Sequence, residues 1–197
     1  MPKRFSLSPD EYDTPSVHAL RQEWRNIPDA QERNVIAVEA QYLAFHHYLI
    51  NGLRHQATEG SDAIPIGLSV RAGALKTATL LCASIAEAAL RAHAEARNYG
   101  LPAAAHRRTF GRVLGAWQLP DETPHPDVAA IWPQLQNLHG GRNTVHLYAA
   151  IQDGSNFYDI LQAESQSLAE AELVLTHLRT WLRPNNSFKP TPLRGAA

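Results

Sequence analysis

Cysteine is nearly missing from this sequence. Cys82 stands alone among 197 residues, so no disulfide can close within the chain and no multi-cysteine zinc ribbon can form. Neither sign of charge dominates: 18 Lys and Arg face 19 Asp and Glu, a formal net charge of −1. That excludes a protein that holds nucleic acid by bulk positive charge, though not one with a local basic face. No run of about 18 apolar residues occurs, so a membrane-spanning helix is not expected. The opening Met1-Pro2-Lys3-Arg4 leads into Ser, Asp and Glu rather than an apolar stretch, so no secretory signal is expected. A phosphate loop, a dinucleotide fingerprint, a nucleophile elbow and a solenoid repeat are all missing. The expectation is a cytoplasmic protein with no membrane association.

What is present is enough apolar material for a core. Hydrophobic residues make up 44% and charged residues 19%, which argues against global disorder. The length suits one domain. Residues 1–28 are broken by Pro2, Pro9, Pro15 and Pro28. They read as an N-terminal arm with two helical turns from Ser16, its N-cap, to Trp24. Residues 184–197 hold few apolar residues and are expected to be a disordered tail. A single helical domain is predicted over 29–183.

The periodicity within that span predicts five helices. Residues 29–57 place Val35, Val38, Tyr42, Phe45, Leu49 and Leu53 at alternating spacings of three and four, with Ile36, Leu43 and Ile50 widening the stripe. Residues 69–98, capped by Ser69 and stopped near Gly100, are apolar almost all round, as befits a central helix. Glu87 interrupts that stretch and needs a partner if buried. A third helix over 103–118 carries Phe110, Val113, Leu114 and Trp117 on one face. Its Gly111 and Gly115 can admit a close neighbour. A fourth over 127–149 runs through Val128, Ile131, Leu135, Leu138, Arg142 and Val145, with Pro133 either kinking it or marking its true start. Residues 150–164 read as an ordered loop or a short hairpin about Asp153-Gly154. A fifth helix over 167–183 begins with the capping box Ser167-Leu168-Ala169-Glu170. The sum is an all-α fold, an up-and-down four-helix bundle with an additional C-terminal helix.

Chemistry concentrates at Arg142-Asn143-Thr144-Val145-His146. Arg142 falls where the fourth helix's seam calls for an apolar residue, and His146, four residues on, shares its face. His139 lies three before Arg142 on much the same face. A guanidinium holds a phosphate through a planar, permanently charged fork. An imidazole moves a proton near neutral pH. Those are parts for cleaving RNA without a metal: one group helps the 2′-hydroxyl attack and a cation holds the developing charge. The same residues serve a second reading, in which Arg142 and Glu87 form a buried ion pair that sets helix register.

A helical bundle whose late helix reads Leu135-x-x-Leu138-x-x-x-Arg142-Asn143-x-x-His146 resembles the HEPN superfamily. The stretch Ala83-Ser84-Ile85-Ala86-Glu87-Ala88-Ala89-Leu90 is similar to that family's glutamate-bearing central helix. The resemblance implies Arg142 as phosphate binder, Asn143 as the polar residue after it and His146 as catalytic histidine. Glu87, on that similar central helix, and His139, by its place one turn before Arg142, are the supporting candidates. The resemblance further implies a metal-independent endoribonuclease of a toxin–antitoxin or defence system, or a catalytically inactive interaction module, and in either case a homodimer or a partner protein. The family usually spaces its Arg and His by four to six residues. Here three intervene, which keeps both on one helical face.

Two further features bear on partners. Arg91, Arg97, Arg107, Arg108 and Arg112 against Glu95 give residues 91–112 a local net charge of +4. Arg107, Arg108 and Arg112, with His93 and His106 nearby, are candidates to contact an RNA backbone, and a solvated helix end accounts for the same charges. His46 and His47, with His139 or His146, offer the distant alternative of a metal-binding helical-bundle enzyme, but no Glu-x-x-His or His-x-x-x-His pattern accompanies them. Neighbouring histidines on a helix point about 100° apart, so no metal or other cofactor is expected.

Overall fold

The computed structural model describes residues 14–54, 64–143 and 157–181; side chains at 53–54, 64–65, 142–143 and 157–161 fall outside that description. Among the described residues the fold is all-helical and bundle-like, apart from a two-residue parallel pairing of β1 (Leu53–Arg54) with β2 (Ile64–Pro65). The helices are α1 (Val17–Glu23), α2 (Ala30–Gly52), α3 (Leu68–Ala96), α4 (Phe110–Ala116), α5 (Pro126–Ala129), α6 (Trp132–Asn143) and α7 (Phe157–Thr180).

Helix α1 starts as its sequence requires: the Ser16 hydroxyl accepts from Ala19 N–H at 3.1 Å. Leu20, Trp24 and Ile27 of this first stretch are buried. Asn26 Nδ2 donates to the carbonyls of Leu178 (2.7 Å) and Trp181 (2.8 Å), closing orphan acceptors at the end of α7. Asp29 caps α2 by accepting from Gln31 and Glu32 N–H, each at 2.8 Å.

The core face of α2 is not the stripe that the spacing favoured. Ile36, Ala37, Leu43 and Ile50 are buried, while Val35, Val38 and Tyr42 are about half exposed. Two apolar stripes lie side by side on this helix. Periodicity cannot choose between them, and packing against α3 does.

Helix α3 is the centre of the molecule. It packs against α2, α4, α6 and α7, and Ala72, Leu75, Ala78, Cys82, Ala83, Ile85, Ala86, Ala89 and Leu90 are buried along it. It is long and apolar enough to cross a membrane by length and composition, with 50% of that window buried inside the fold. Its N-cap position is Gly67, with no side-chain cap, rather than Ser69. Asn98, at φ 56°, turns the chain out of the helix, and Tyr99 N–H returns to Ala94 O at 2.9 Å.

Three further expectations are corrected. The helix expected over 103–118 is a 3-10 turn at Ala105–Arg107 followed by the short α4. Arg108 makes the break, donating to Pro102 O (2.7 Å) and Ala103 O (3.1 Å). The helix expected from 127 splits into α5 and α6, with Pro133 in the first turn of α6, where its missing N–H costs nothing. The stretch expected as a loop or hairpin up to 164 is helical from Phe157 onward, so Ser167 lies inside α7 instead of capping it. No Gly or Pro occurs from Phe157 to Thr180, and its Leu, Gln, Ala and Glu residues extend a helix readily. Residues 150–156, the Asp153-Gly154 turn among them, lie outside the described residues.

Candidate functional site

Glu87 on α3 and His139 on α6 line one cleft of about 620 Å³, together with His106, Arg108, Thr109, Phe110 and Gly111. The cleft is bordered by α3, α6, the 3-10 turn and the start of α4. Glu87 and His139 are half-buried, and His106 is exposed.

The seat of His139 is specific. Its ring meets the Phe110 ring edge to face, centroids 5.6 Å apart and planes at 85°. Beside it lies Gly111: a Cβ there would stand 3.0 Å from His139 Nε2. Gly111 therefore admits a side chain of α6 against the backbone of α4, one of the two close approaches suggested by the glycine pair. At Gly115 nothing comes within 4 Å of a Cβ.

The basic stretch is less free than its count suggests. Arg108 gives its guanidinium to Glu95 (2.6 Å) as well as to the loop carbonyls. Arg91 lies 3.8 Å from Glu95, and Arg97 lies 3.3 Å from Asp127. Arg107 and Arg112 are exposed, and their side chains make no hydrogen bond or ion pair among the described residues. Arg108 is the arginine that lines the cleft, and Arg107 and Arg112 are each adjacent in sequence to a lining residue.

Arg142 and Asn143 are the penultimate and last residues of α6. By helical spacing Arg142 continues the seam of Leu135 and Leu138, both buried. The side chains of Arg142 and Asn143, and all of His146, lie outside the described residues, so the expected Arg142–Glu87 pairing does too.

A second cluster went unseen in the sequence. Arg97 lies over the rings of Tyr99 (5.6 Å), Trp117 (5.3 Å) and Trp181 (5.5 Å) while pairing with Asp127. Trp117 Nε1 donates to Leu90 O at 3.1 Å. His125, 1% exposed, packs edge to face on Trp117, and His93, 4% exposed, does so on Trp181. Burial, aided by the Arg97 charge, pushes His93 down to about 3. Burial also lowers His125, against the pull of Asp127. His93 therefore belongs to this packed cluster and cannot steer an RNA. The missed signal was the Arg97-x-Tyr99 pair following the central helix, which meets Trp117 and Trp181 only in three dimensions.

His46 and His47 point apart, as their adjacency requires. His46 Nε2 lies 2.9 Å from Ala74 O, and His47 Nε2 lies 3.2 Å from Glu172. Among the described residues no three His, Cys, Asp or Glu side chains gather as metal ligands. Cys82 is buried, and burial pushes its thiol up to about 12, which makes it a small core residue rather than a nucleophile. No known protein family matches the chain, and no similar curated protein or solved structure is found.

Proposed function

We propose that this is a HEPN-like protein, an up-and-down helical bundle acting as a cytoplasmic, metal-independent endoribonuclease of a bacterial toxin–antitoxin or defence system. The observation that supports it is the shared cleft of Glu87 and His139, together with α6 carrying Arg142-Asn143 at its end. In this reading Arg142 holds the scissile phosphate, His146 moves a proton and Asn143 orients the substrate. Arg107 and Arg112 draw the RNA backbone toward the cleft through its phosphates, without reading bases. Arg108 shapes the loop.

Purified protein should cleave RNA in the presence of EDTA. Arg142→Ala and His146→Ala should each abolish cleavage while circular dichroism and thermal unfolding remain those of a folded protein. Cleavage that survives both substitutions would sink the site.

A second reading has its own observation. Val35, Val38 and Tyr42 form an exposed apolar stripe on α2, as a non-catalytic module that pairs with itself or a partner protein would carry. Under that reading the same two substitutions change stability or association and there is no RNA turnover to lose.

A further inference from the structure

A separate cavity of about 320 Å³ is bordered by α1, α2 and α7, and it shares no lining residue with the cleft of Glu87 and His139. Its volume suits a small molecule. Leu20 of α1, Leu43 of α2 and Leu175 of α7 are buried along it and give it apolar walls.

The polar groups on those walls are incompletely matched. Trp24, the C-cap of α1, borders the cavity and is 1% exposed, and its indole N–H meets no acceptor among the described residues. Buried donors are almost always paired, so an orphan at a cavity wall marks a place for an acceptor. Arg179 of α7 donates to Glu23 at 3.0 Å. A guanidinium carries several N–H donors, so Arg179 keeps others for a second acceptor.

Glu172, two turns before Arg179 on α7, is the opposite case. His47 Nε2, 3.2 Å away, is its one ion-pair or hydrogen-bond partner among the described residues, and the two are not aligned as a hydrogen bond. Burial holds the His47 imidazole below its ordinary range despite the pull of Glu172. Near neutral pH the imidazole is therefore uncharged, and Glu172 has no cation against it.

We propose that this cavity binds a small apolar zwitterion of amino-acid or dipeptide size, whose carboxylate takes the N–H donors of Trp24 and Arg179 and whose ammonium sits at Glu172. An amine without a carboxylate would leave the indole N–H unpaired. A carboxylate without an amine would set a second anion in the cavity with Glu172. A molecule carrying both charges answers both needs, and its apolar part meets the three leucines. Glu172 and Arg179 stand about 10 Å apart along the axis of α7, which favours the longer of the two ligands. The site does not depend on the endoribonuclease reading.

The test is a titration of the full-length protein with L-leucine and with L-leucyl-L-alanine. It is followed by calorimetry and by the indole N–H resonances of isotope-labelled protein, where the Trp24 signal is the one lost in Trp24→Phe. Wild type should bind at millimolar concentration or below, the dipeptide more tightly, and the Trp24 signal should move downfield. N-acetyl-L-leucine lacks the ammonium and isoamylamine lacks the carboxylate, and each should bind about tenfold or more weakly than leucine. Glu172→Gln, at an exposed position, should weaken both zwitterions to the same degree without weakening N-acetyl-L-leucine. Trp24→Phe keeps a ring in place and should weaken them a few-fold. If that variant does not fold, Glu172→Gln carries the test. A wild type that binds neither probe overturns the proposal, and the cavity then takes water alone. Binding that leaves the Trp24 signal unmoved, or that survives Glu172→Gln unchanged, overturns it as well.

Discussion

Two regions of this molecule are built from the same residue types and end in opposite states. Around Arg97, an arginine, two histidines, a tyrosine and two tryptophans close into a packed box, in which Trp117 is 0% and His125 1% exposed. Around His139, two histidines, an arginine, a glutamate and a phenylalanine border an open cleft. The difference lies in what fills the gaps. Indole rings reach Arg97 from the loop side of α4 and from the end of α7. No indole lines the cleft among the described residues, and two of its lining residues, Thr109 and Gly111, are small. Burial strips His93 of its charge in the first setting, whereas His139 in the second is only half-buried.

Breaking the box should cost most. Trp117→Ala removes a fully buried indole and its bond to Leu90 O, and urea unfolding should show a loss of about 3–5 kcal/mol. Under the endoribonuclease proposal, cleavage by the surviving folded fraction should change little, since Trp117 does not line the cleft. Arg97→Ala should cost about 2 kcal/mol. That is less than the 3–5 kcal/mol of a fully buried pair, because the Arg97 and Asp127 side chains are 12% and 22% exposed. Arg97→Lys should recover only part, since an ammonium cannot stack on three rings as a guanidinium does.

The pH dependence sharpens the contrast. His93 is neutral in the fold down to about pH 3, whereas in the unfolded chain it takes a proton below about pH 6.5. Stability present above pH 6.5 is therefore lost as pH falls toward 3, by up to about 1.4 kcal/mol per pH unit for this group. His47 and His125, also lowered by burial, add to the slope. Chemical denaturation from pH 7 to 4 should show the decline, and His93→Gln should flatten it. An unchanged slope would mean that the box opens in acid before His93 titrates.

The smallest effect belongs to the exposed stripe of α2. Val38→Lys should shift folding stability by no more than about 0.5 kcal/mol. If the stripe pairs two copies, the same change should convert a dimer to a monomer in sedimentation. If the chain is monomeric either way, the interaction-module reading loses its support.

Several features were legible in order. Ser16 and Asp29 named their caps because capping is local chemistry that needs no tertiary partner. The apolar middle of α3 declared a central helix because no face of it offered water a foothold. Pro133 announced the first turn of α6. Other features could not be read. The capping box at Ser167 is a local preference that a continuous helix overrode. The helix over 103–118 was broken by Arg108, whose carbonyl acceptors depend on a loop fold. Glu87 and His139 were each singled out from the chain, but their common cleft depends on how α3, α4 and α6 meet.

The sequence by itself determined that this chain folds as helices around one apolar, alanine-rich centre, because side-chain period and caps act over a few residues. Its near-neutral charge and lone cysteine likewise settled which kinds of stabilisation it cannot use. Only the tertiary structure decided which of two stripes on α2 faces the core, which arginines are paired, and which histidines are sealed. Those outcomes depend on contacts between residues far apart in the chain, where burial and the distance to an opposite charge are set by packing and not by spacing.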